Sequence, residues 1–416
     1  MTVSLAAGLC ACTTYNNFKN AFFEDGKEAQ ERTIKIGVFE PLSGKNKTEG
    51  NEELMGIELA HDLYPTVCGK KVELVYGDNK SDIYTGETVI QELISANSPS
   101  VILGSYGETL TLIAGKYAKA NNIPAITISS TNPLITTNND YYFSATYSET
   151  RQGDALADFA YTSQKKIVAA AIKTEDDDTA TATIKRFTNR FKKLSGQSNS
   201  VAGTFTVPKD STDYSKTIDD IKASGADTVF VTLSAENSIE FMKQAMDKKL
   251  MNVLFLGTRS WNDDKLIKYL KENDRIQAAF PTEQSQNAET EVSNEFIQAF
   301  KAKYGESEEP SARTAVAFDA YCLAIDAISR AYDAMQTMDP DKLTADAATD
   351  AEGRTAKEVL QNALETGEHI RDALSQTKNF QGASGVINYN GKNEATKSIT
   401  INFIVGGIEQ PTYTIE

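Results

Sequence analysis

At 416 residues the chain is too long for one ordinary domain and suits two. With 40% hydrophobic, 9% aromatic and 24% charged residues, it has the composition of a folded protein with a core of normal size. A formal charge of −16 repels phosphate backbones and argues against a nucleic-acid partner, and no apolar run reaches the ~18 residues of a membrane-spanning helix.

The chain opens on a short apolar stretch, LAAGLCACTT, that holds Cys10 and Cys12. It resembles the end of a bacterial lipoprotein signal, in which a small residue precedes the modified cysteine. Cys12 fits better than Cys10, with Leu9 three back and Ala11 directly before it, and is the candidate lipidation site. Residues 1–32 are then a signal remnant and a polar tether. From residue 33 on, apolar runs of strand length alternate with stretches of helical period. The first set of strands is expected at 33–41, 71–78, 100–106, 124–130 and, more weakly, 141–146. The second set is expected at 166–172, 201–207, 228–233, 252–258 and 276–281. Helices are expected near 52–64, 82–97, 109–121, 150–163, 179–194, 214–224, 236–249, 262–272, 289–303 and 311–336. Ser81/Asp82, Ser211 to Asp213 and Asn262/Asp263 are plausible caps. This βα rhythm, met twice, predicts an α/β fold of two doubly wound parallel-sheet lobes.

The tail differs. Residues 337–355 are polar, lack aromatics and read as a surface insertion. Short helices follow near 355–366 and 368–376. Strands at 384–390 and 398–407 then look like a hairpin turning at NYNGKN.

Ligands of open parallel sheets bind beyond the carboxyl ends of the strands. That rule selects residues 40–50, GSYGET (104–109) and SSTNP (129–133) in the first lobe. In the second it selects TEDDD (174–178), SAEN (234–237) and TRSW (258–261). The three hydroxyls of SSTNP could be a nucleophile, a polar grip on a ligand, or an ordinary helix-capping turn. A serine nucleophile lacks the G-x-S-x-G elbow, and His61 and His369, the two histidines, lie on predicted helices. SGKNKT (43–48) lacks the phosphate-loop spacing, with no helix clearly beginning at it, and no G-x-G-x-x-G follows a strand. Metal-ligand spacing is missing, so no metal, cofactor or catalytic site is expected. Cys68 and Cys322 leave a disulfide open. A polar grip remains, in which loop hydroxyls and backbone N–H groups hold a small ligand.

Six ordered segments carry a resemblance. They are IKIGVFEPLSG (34–44), VILGSYGETLT (101–111), NNIPAITISSTNP (121–133), FLGTRSWND (255–263), residues 296–328 and FQGASGVINYNGKNEATKS (380–398). Together they resemble the type I periplasmic solute-binding proteins of ABC importers, in the branched-chain amino acid receptor branch. The resemblance implies a Venus-flytrap architecture with a three-stranded hinge. Lobe one would be 33–147 plus 282–381, and lobe two 148–281 plus 382–416. It implies an extracytoplasmic, membrane-anchored receptor, not an enzyme, that closes on a small-molecule ligand and works as a monomer with ABC permease subunits.

The implied site falls on named residues. The position that binds the ligand carboxylate falls on Glu108, with Thr109 beside it and Tyr106 in the same loop. Ser129 and Thr131, with Ser130 between them, take the place of the next loop's carbonyl and hydroxyl. An aromatic of the first loop aligns near Glu49, and aromatics of lobe two near Asp176 and Ser234. The acid that holds the ligand ammonium falls on Arg259, a reversal of charge, and Trp261 matches a tryptophan position of the family. Arg259 would pair with a ligand carboxylate, sulfonate or phosphate, or would bridge to Glu108 with no ligand between. The expected function is delivery of an amino acid-like molecule or small organic anion to an importer. The alternative is a ligand-independent cell-envelope regulator or scaffold on the same fold.

Overall fold

A computed structural model describes residues 33–281, 291–336, 367–389, 393–411 and 413–415. They form two compact units, one from 33–147 and 291–397, the other from 148–281 and 398–415. Cys10, Cys12, the 337–355 insertion and the helix expected near 355–366 lie outside the described residues.

Unit one starts with β1 (Ile34–Glu40), α1 (Lys47–Leu63), β2 (Thr66–Val67), β3 (Lys70–Asp78) and α2 (Ile83–Asn97). Next come β4 (Val101–Gly104), α3 (Glu108–Ala120), β5 (Ala125–Thr127) and β6 (Tyr142–Ser144). The sheet order is β2-β3-β1-β4-β5-β6, parallel except for the small β2–β3 pair. Both faces are covered, which is why these strands read as continuous apolar runs. Side chains alternate between two cores: Ile36, Val38, Leu103 and Ile126 enter one, and Phe39, Ile102 and Ala125 the other. Asp82 caps α2 by accepting the Thr85 amide at 2.8 Å, an arrangement that contributes about 1 kcal/mol. α1 begins five residues earlier than its apolar period suggests, inside SGKNKT, because its first turn is polar and half-exposed.

Unit two holds α4 (Arg151–Asp158), which runs on as a π turn over Phe159–Ser163, then β7 (Ala169–Thr174) and α5 (Asp178–Ser195). β8 (Val201–Val207), α6 (Ser215–Ser224), β9 (Thr228–Val231) and α7 (Ala235–Asp247) follow. β10 (Leu254–Gly257), a 3-10 turn over Arg259–Trp261, α8 (Asp264–Glu272) and β11 (Gln277–Pro281) complete this run. β11, β10, β9, β7 and β8 lie side by side, all parallel. Asp177 and Asp263 cap α5 and α8 through the amides of Ala180 and of Lys265 and Leu266.

The chain then returns to unit one as α9 (Glu291–Tyr304), α10 (Ala312–Gln336) and α11 (Gly367–Ser375). A three-stranded sheet, β12 (Phe380–Gly382), β13 (Gly385–Tyr389) and β14 (Ala395–Thr396), closes that unit. Residues 382–397 therefore belong to unit one, not to the second lobe as read from the sequence. The expected hairpin between 384–390 and 398–407 does not form. β13 pairs with β12 and β14, whereas β15 (Ile399–Val405) joins the other sheet, antiparallel to β11. β16 (Ile408–Glu409) and β17 (Tyr413–Ile415) pair with β15. β13 ends at Tyr389 and its partner on that side is the two-residue β14, with residues 390–392 of NYNGKN outside the described residues. Cys68 and Cys322 are free thiols, so no disulfide joins them. His61 lies on α1 with Nε2 3.1 Å from the Val72 carbonyl, and His369 lies on α11.

Candidate functional site

In unit one, β1 lies between β3 and β4, so the connections from its carboxyl end diverge there. That switch point is where open α/β sheets take ligands. β1 ends in Glu40, which is completely buried, as is Glu53 on the inner face of α1. Glu40 Oε2 accepts the Tyr106 amide at 2.8 Å and so ties the β4–α3 loop to β1. Burial, reinforced by the charge of Glu53, pushes the Glu40 carboxyl well above the usual carboxylate range. Burial raises Glu53 as well, against the opposing pull of its neighbours Glu40, Ser129 and Arg313.

Arg313, near the start of α10, organises the far side. Its guanidinium bonds Glu52, lies 3.9 Å by Nε from Glu53 Oε1, and stacks 5.1 Å from the Tyr106 ring centroid. Ser105 is buried and receives the Asn79 side-chain amide on its hydroxyl at 2.8 Å. Thr111 Oγ1 donates to the Ser105 and Gly107 carbonyls at 2.7 and 2.9 Å. Tyr142 donates to the Gly104 carbonyl at 2.5 Å. Gly104 itself has φ +107°, and a Cβ there would fall 2.2 Å from Glu40 Oε1, so no side chain fits.

Above this buried layer sit the sequence candidates of unit one. Glu108 and Thr109 are exposed in the first turn of α3. Glu108 Oε2 accepts from Asn132 Nδ2 at 3.3 Å, which brings the β4–α3 loop and the segment after β5 together. Ser129 is half-buried, and Ser130 and Thr131 are buried. The Ser130 hydroxyl has no hydrogen-bond partner among the described residues. Tyr106 is half-buried under Arg313, and Glu49 is half-buried in the first turn of α1.

Unit two has its own strand-end group. Asp176 is exposed in a left-handed residue of the β7–α5 turn, with φ +54°. Ser234 is exposed and caps α7, accepting the Asn237 amide at 3.3 Å. Arg259 is half-buried after β10, its amide held at 2.7 Å by Oε1 of the buried Gln152. Thr258 and Ser260 share a hydroxyl hydrogen bond at 2.8 Å. Trp261 departs from the expectation of a ligand wall. Its ring is fully buried, packs against Phe280 and the bare Cα of Gly257, and donates to Ser238 at 2.9 Å. It fills the core because the 3-10 turn carries residue 261 back over β10.

Sequence reasoning missed Glu40, Glu53, Arg313 and Gln152 as individuals. A signal for the first existed: Glu40 ends a strand whose preceding residues from Ile36 are apolar. Glu53 lies on the same helix face as Ile57 and Ala60, a position that predicts burial.

A profile for periplasmic binding proteins matches residues 33–398. The chain belongs to the periplasmic binding protein family. Its curated relatives include Leu/Ile/Val-binding protein homolog 7 of Brucella abortus, 26% identical over 311 residues, or 69% of this chain and 75% of that one. Among solved structures, it is similar to the leucine binding protein LivK of Thermotoga maritima. That match has 25% identity, covers 92% of this chain and 99% of that one, and gives a TM-score of 0.63. The branched-chain amino acid binding protein LivJ of Streptococcus pneumoniae, solved with isoleucine, shares the fold at 22% identity. It gives a TM-score of 0.61, with 92% and 99% of the chains covered. Among the described residues no helix is long and apolar enough to cross a membrane.

Proposed function

We propose that this chain is an extracytoplasmic receptor that retains a small polar solute by hinge closure and delivers it, as a monomer, to the permease of an ABC importer. One observation carries the reading. In a member of the periplasmic binding protein family, the polar residues of each unit collect on the carboxyl-end loops of a parallel sheet. Ser129, Ser130 and Thr131 supply hydroxyls and backbone groups there, and the Ser130 hydroxyl still has hydrogen-bonding capacity to offer. The Glu108 carboxylate already occupies the favourable end of the α3 dipole and suits an ammonium or amide group of a ligand. In unit two, the planar fork of Arg259 suits a carboxylate or other anionic group. Glu49, Tyr106, Thr109, Asp176 and Ser234 remain candidates for the rims of the two loop sets. Anchoring through a lipid on Cys12 belongs to the same proposal, and radiolabelled palmitate incorporation lost in Cys12→Ser tests it.

The main test is calorimetry with thermal shift on the chain from Lys27 onward, against amino acids, amides and small organic anions. A ligand at 100 times its Kd adds about 2.7 kcal/mol of stability. Saturable heat with a matching rise in Tm supports the receptor. A second reading, a ligand-independent envelope regulator, draws on Glu108, which puts a fixed negative charge where this family's ligand carboxylate is expected. Silence across the panel, together with a copurifying envelope protein, would favour it.

A further inference from the structure

The site contains a pair of acids that touch no solvent. Taken as carboxylates, Glu40 Oε1 and both oxygens of Glu53 have no hydrogen-bond partner among the described residues, with Arg313 Nε standing off at 3.9 Å from Glu53 Oε1. Only Glu40 Oε2 is satisfied, by the Tyr106 amide at 2.8 Å. The two groups are in contact, and two buried carboxylates in contact cannot both ionise. A carboxylic acid set against a carboxylate converts the same contact into a short, strong O–H···O⁻ hydrogen bond.

The neighbours do not replace that proton. Arg313 faces the pair from α10, but its guanidinium is already bonded to Glu52, so one cation serves three carboxyl groups. From β6, Tyr142 gives its hydroxyl proton to the Gly104 carbonyl. From the β4–α3 loop, Tyr106 offers Glu40 its amide, while its ring lies under Arg313. From the end of β5, Ser129 lies beside Glu53. Gly104 closes the remaining side of Glu40 with no room for a side chain or a water between them.

We propose that Glu40 and Glu53 share one proton, and that this pair positions the β4–α3 candidate ligand loop of unit one through the Tyr106 amide. Glu40 acts through the Tyr106 amide and Glu53 acts through Glu40, so both are positioning residues. Loss of the shared proton places a second buried negative charge under that loop and drives the pair apart. Retention of an anionic solute then weakens as pH rises. The ligand half of this inference rests on the solute-binding reading, and the proton half does not.

The experiment has three readouts on the same chain. Infrared spectroscopy at about pH 7 is expected to show a protonated carboxyl band that Glu40→Gln removes. No such band in the parent protein, or a band unchanged in Glu40→Gln, overturns the shared proton. The Tyr106 amide resonance is expected to titrate with the pair and to become flat in Glu40→Gln, where the amide side chain can still accept from Tyr106 and donate to Glu53. A Tyr106 resonance that is flat in the parent overturns the positioning role, and this needs no variant to fold. Calorimetry with benzoate and with L-leucine below and above the pH at which the Tyr106 resonance titrates is expected to show at least a roughly threefold loss of affinity on the alkaline side for whichever binds. Glu40→Gln should cut that change to within experimental error. The same pH profile in parent and variant overturns the link to binding. If neither probe binds at either pH while the band and the amide titration are present, the receptor reading and the ligand half fall, and the proton half stands.

Discussion

Trp261 donates its indole N–H to the Ser238 hydroxyl at 2.9 Å, and both side chains are fully buried in unit two. Ser238 in turn donates to the Leu233 carbonyl at 3.2 Å, so the ring is tied to the end of β9. Ser238→Ala would leave a buried donor unpaired and should cost about 1–3 kcal/mol. Gly257→Ala is expected to do more damage, since a Cβ would sit 1.9 Å from the indole Cδ2. Urea unfolding followed by fluorescence of this single tryptophan measures both, and a Gly257→Ala protein as stable as the parent would contradict the packing.

Asp319 and Lys397 make a second buried arrangement, in unit one. Asp319 accepts the Ala383 and Ser384 amides at 2.6 and 2.9 Å, and the Ser384 hydroxyl links it to Lys397. Lys397 also donates to the Ala145 carbonyl at 3.3 Å. Asp319→Asn leaves a buried ammonium without its counter-charge and is expected to cost about 3–5 kcal/mol in chemical denaturation. A cost below about 1 kcal/mol would mean the pair is not holding β12 and β13 to α10.

The same lysine predicts a pH effect. Burial drops the Lys397 ammonium to about 8, although Asp319 pulls it upward. The unfolded chain keeps that proton up to the ordinary lysine range near ~10.4. Between those values the unfolded state binds more protons than the native state, so this group's contribution to stability rises with pH and is lost as pH falls back through about 8. Lys397→Met should flatten that part of the stability profile, and parallel profiles for the two proteins would refute the shift.

Burial also pushes the Cys68 thiol up to about 12. Thiolate is the reactive form, so alkylation of Cys68 at mildly alkaline pH should be more than about tenfold slower than that of an unperturbed cysteine. Peptide mapping after timed alkylation, native against unfolded, reads this at the single residue. Equal rates in the two states would show that the thiol is open to solvent.

On the proposed function, Ser129→Ala and Thr131→Val are each expected to weaken solute binding roughly tenfold, the scale of one hydrogen bond lost to a ligand. Arg259→Ala should abolish preference for anionic solutes, while the backbone amide of residue 259 can still be held by Gln152. Calorimetry on the three variants decides, and unaltered affinities in all would remove these loops from the site.

The strand and helix order was legible because doubly wound strands are apolar on both faces and their helices keep a clean period. What escaped was tertiary in origin. The partner of β15 is β11, over a hundred residues earlier, and no local turn signal encodes that choice. Glu40, Glu53, Asp319 and Lys397 look like ordinary charges in a string of letters. Their burial depends on which helix covers them, and their partners come from distant segments. Trp261 was placed by its neighbours in sequence, whereas the 3-10 turn at Arg259–Trp261 directs it inward. Ser129 to Thr131 stand out as candidates because a strand end followed by hydroxyls is a local pattern.

The position of β15 has a consequence for how the chain is made. β11 ends at Pro281, but the neighbour that covers its open side is not synthesised until residues 399–405. Everything of unit one from 291 to 397 must leave the ribosome in between. At ordinary elongation speeds that leaves a bare strand edge waiting for roughly ten seconds, long enough for a stray strand from another nascent chain to take the place. Unit two is therefore begun before this part of unit one is made and covered only after it, so a chain cut short before residue 399 carries β11 with one edge bare.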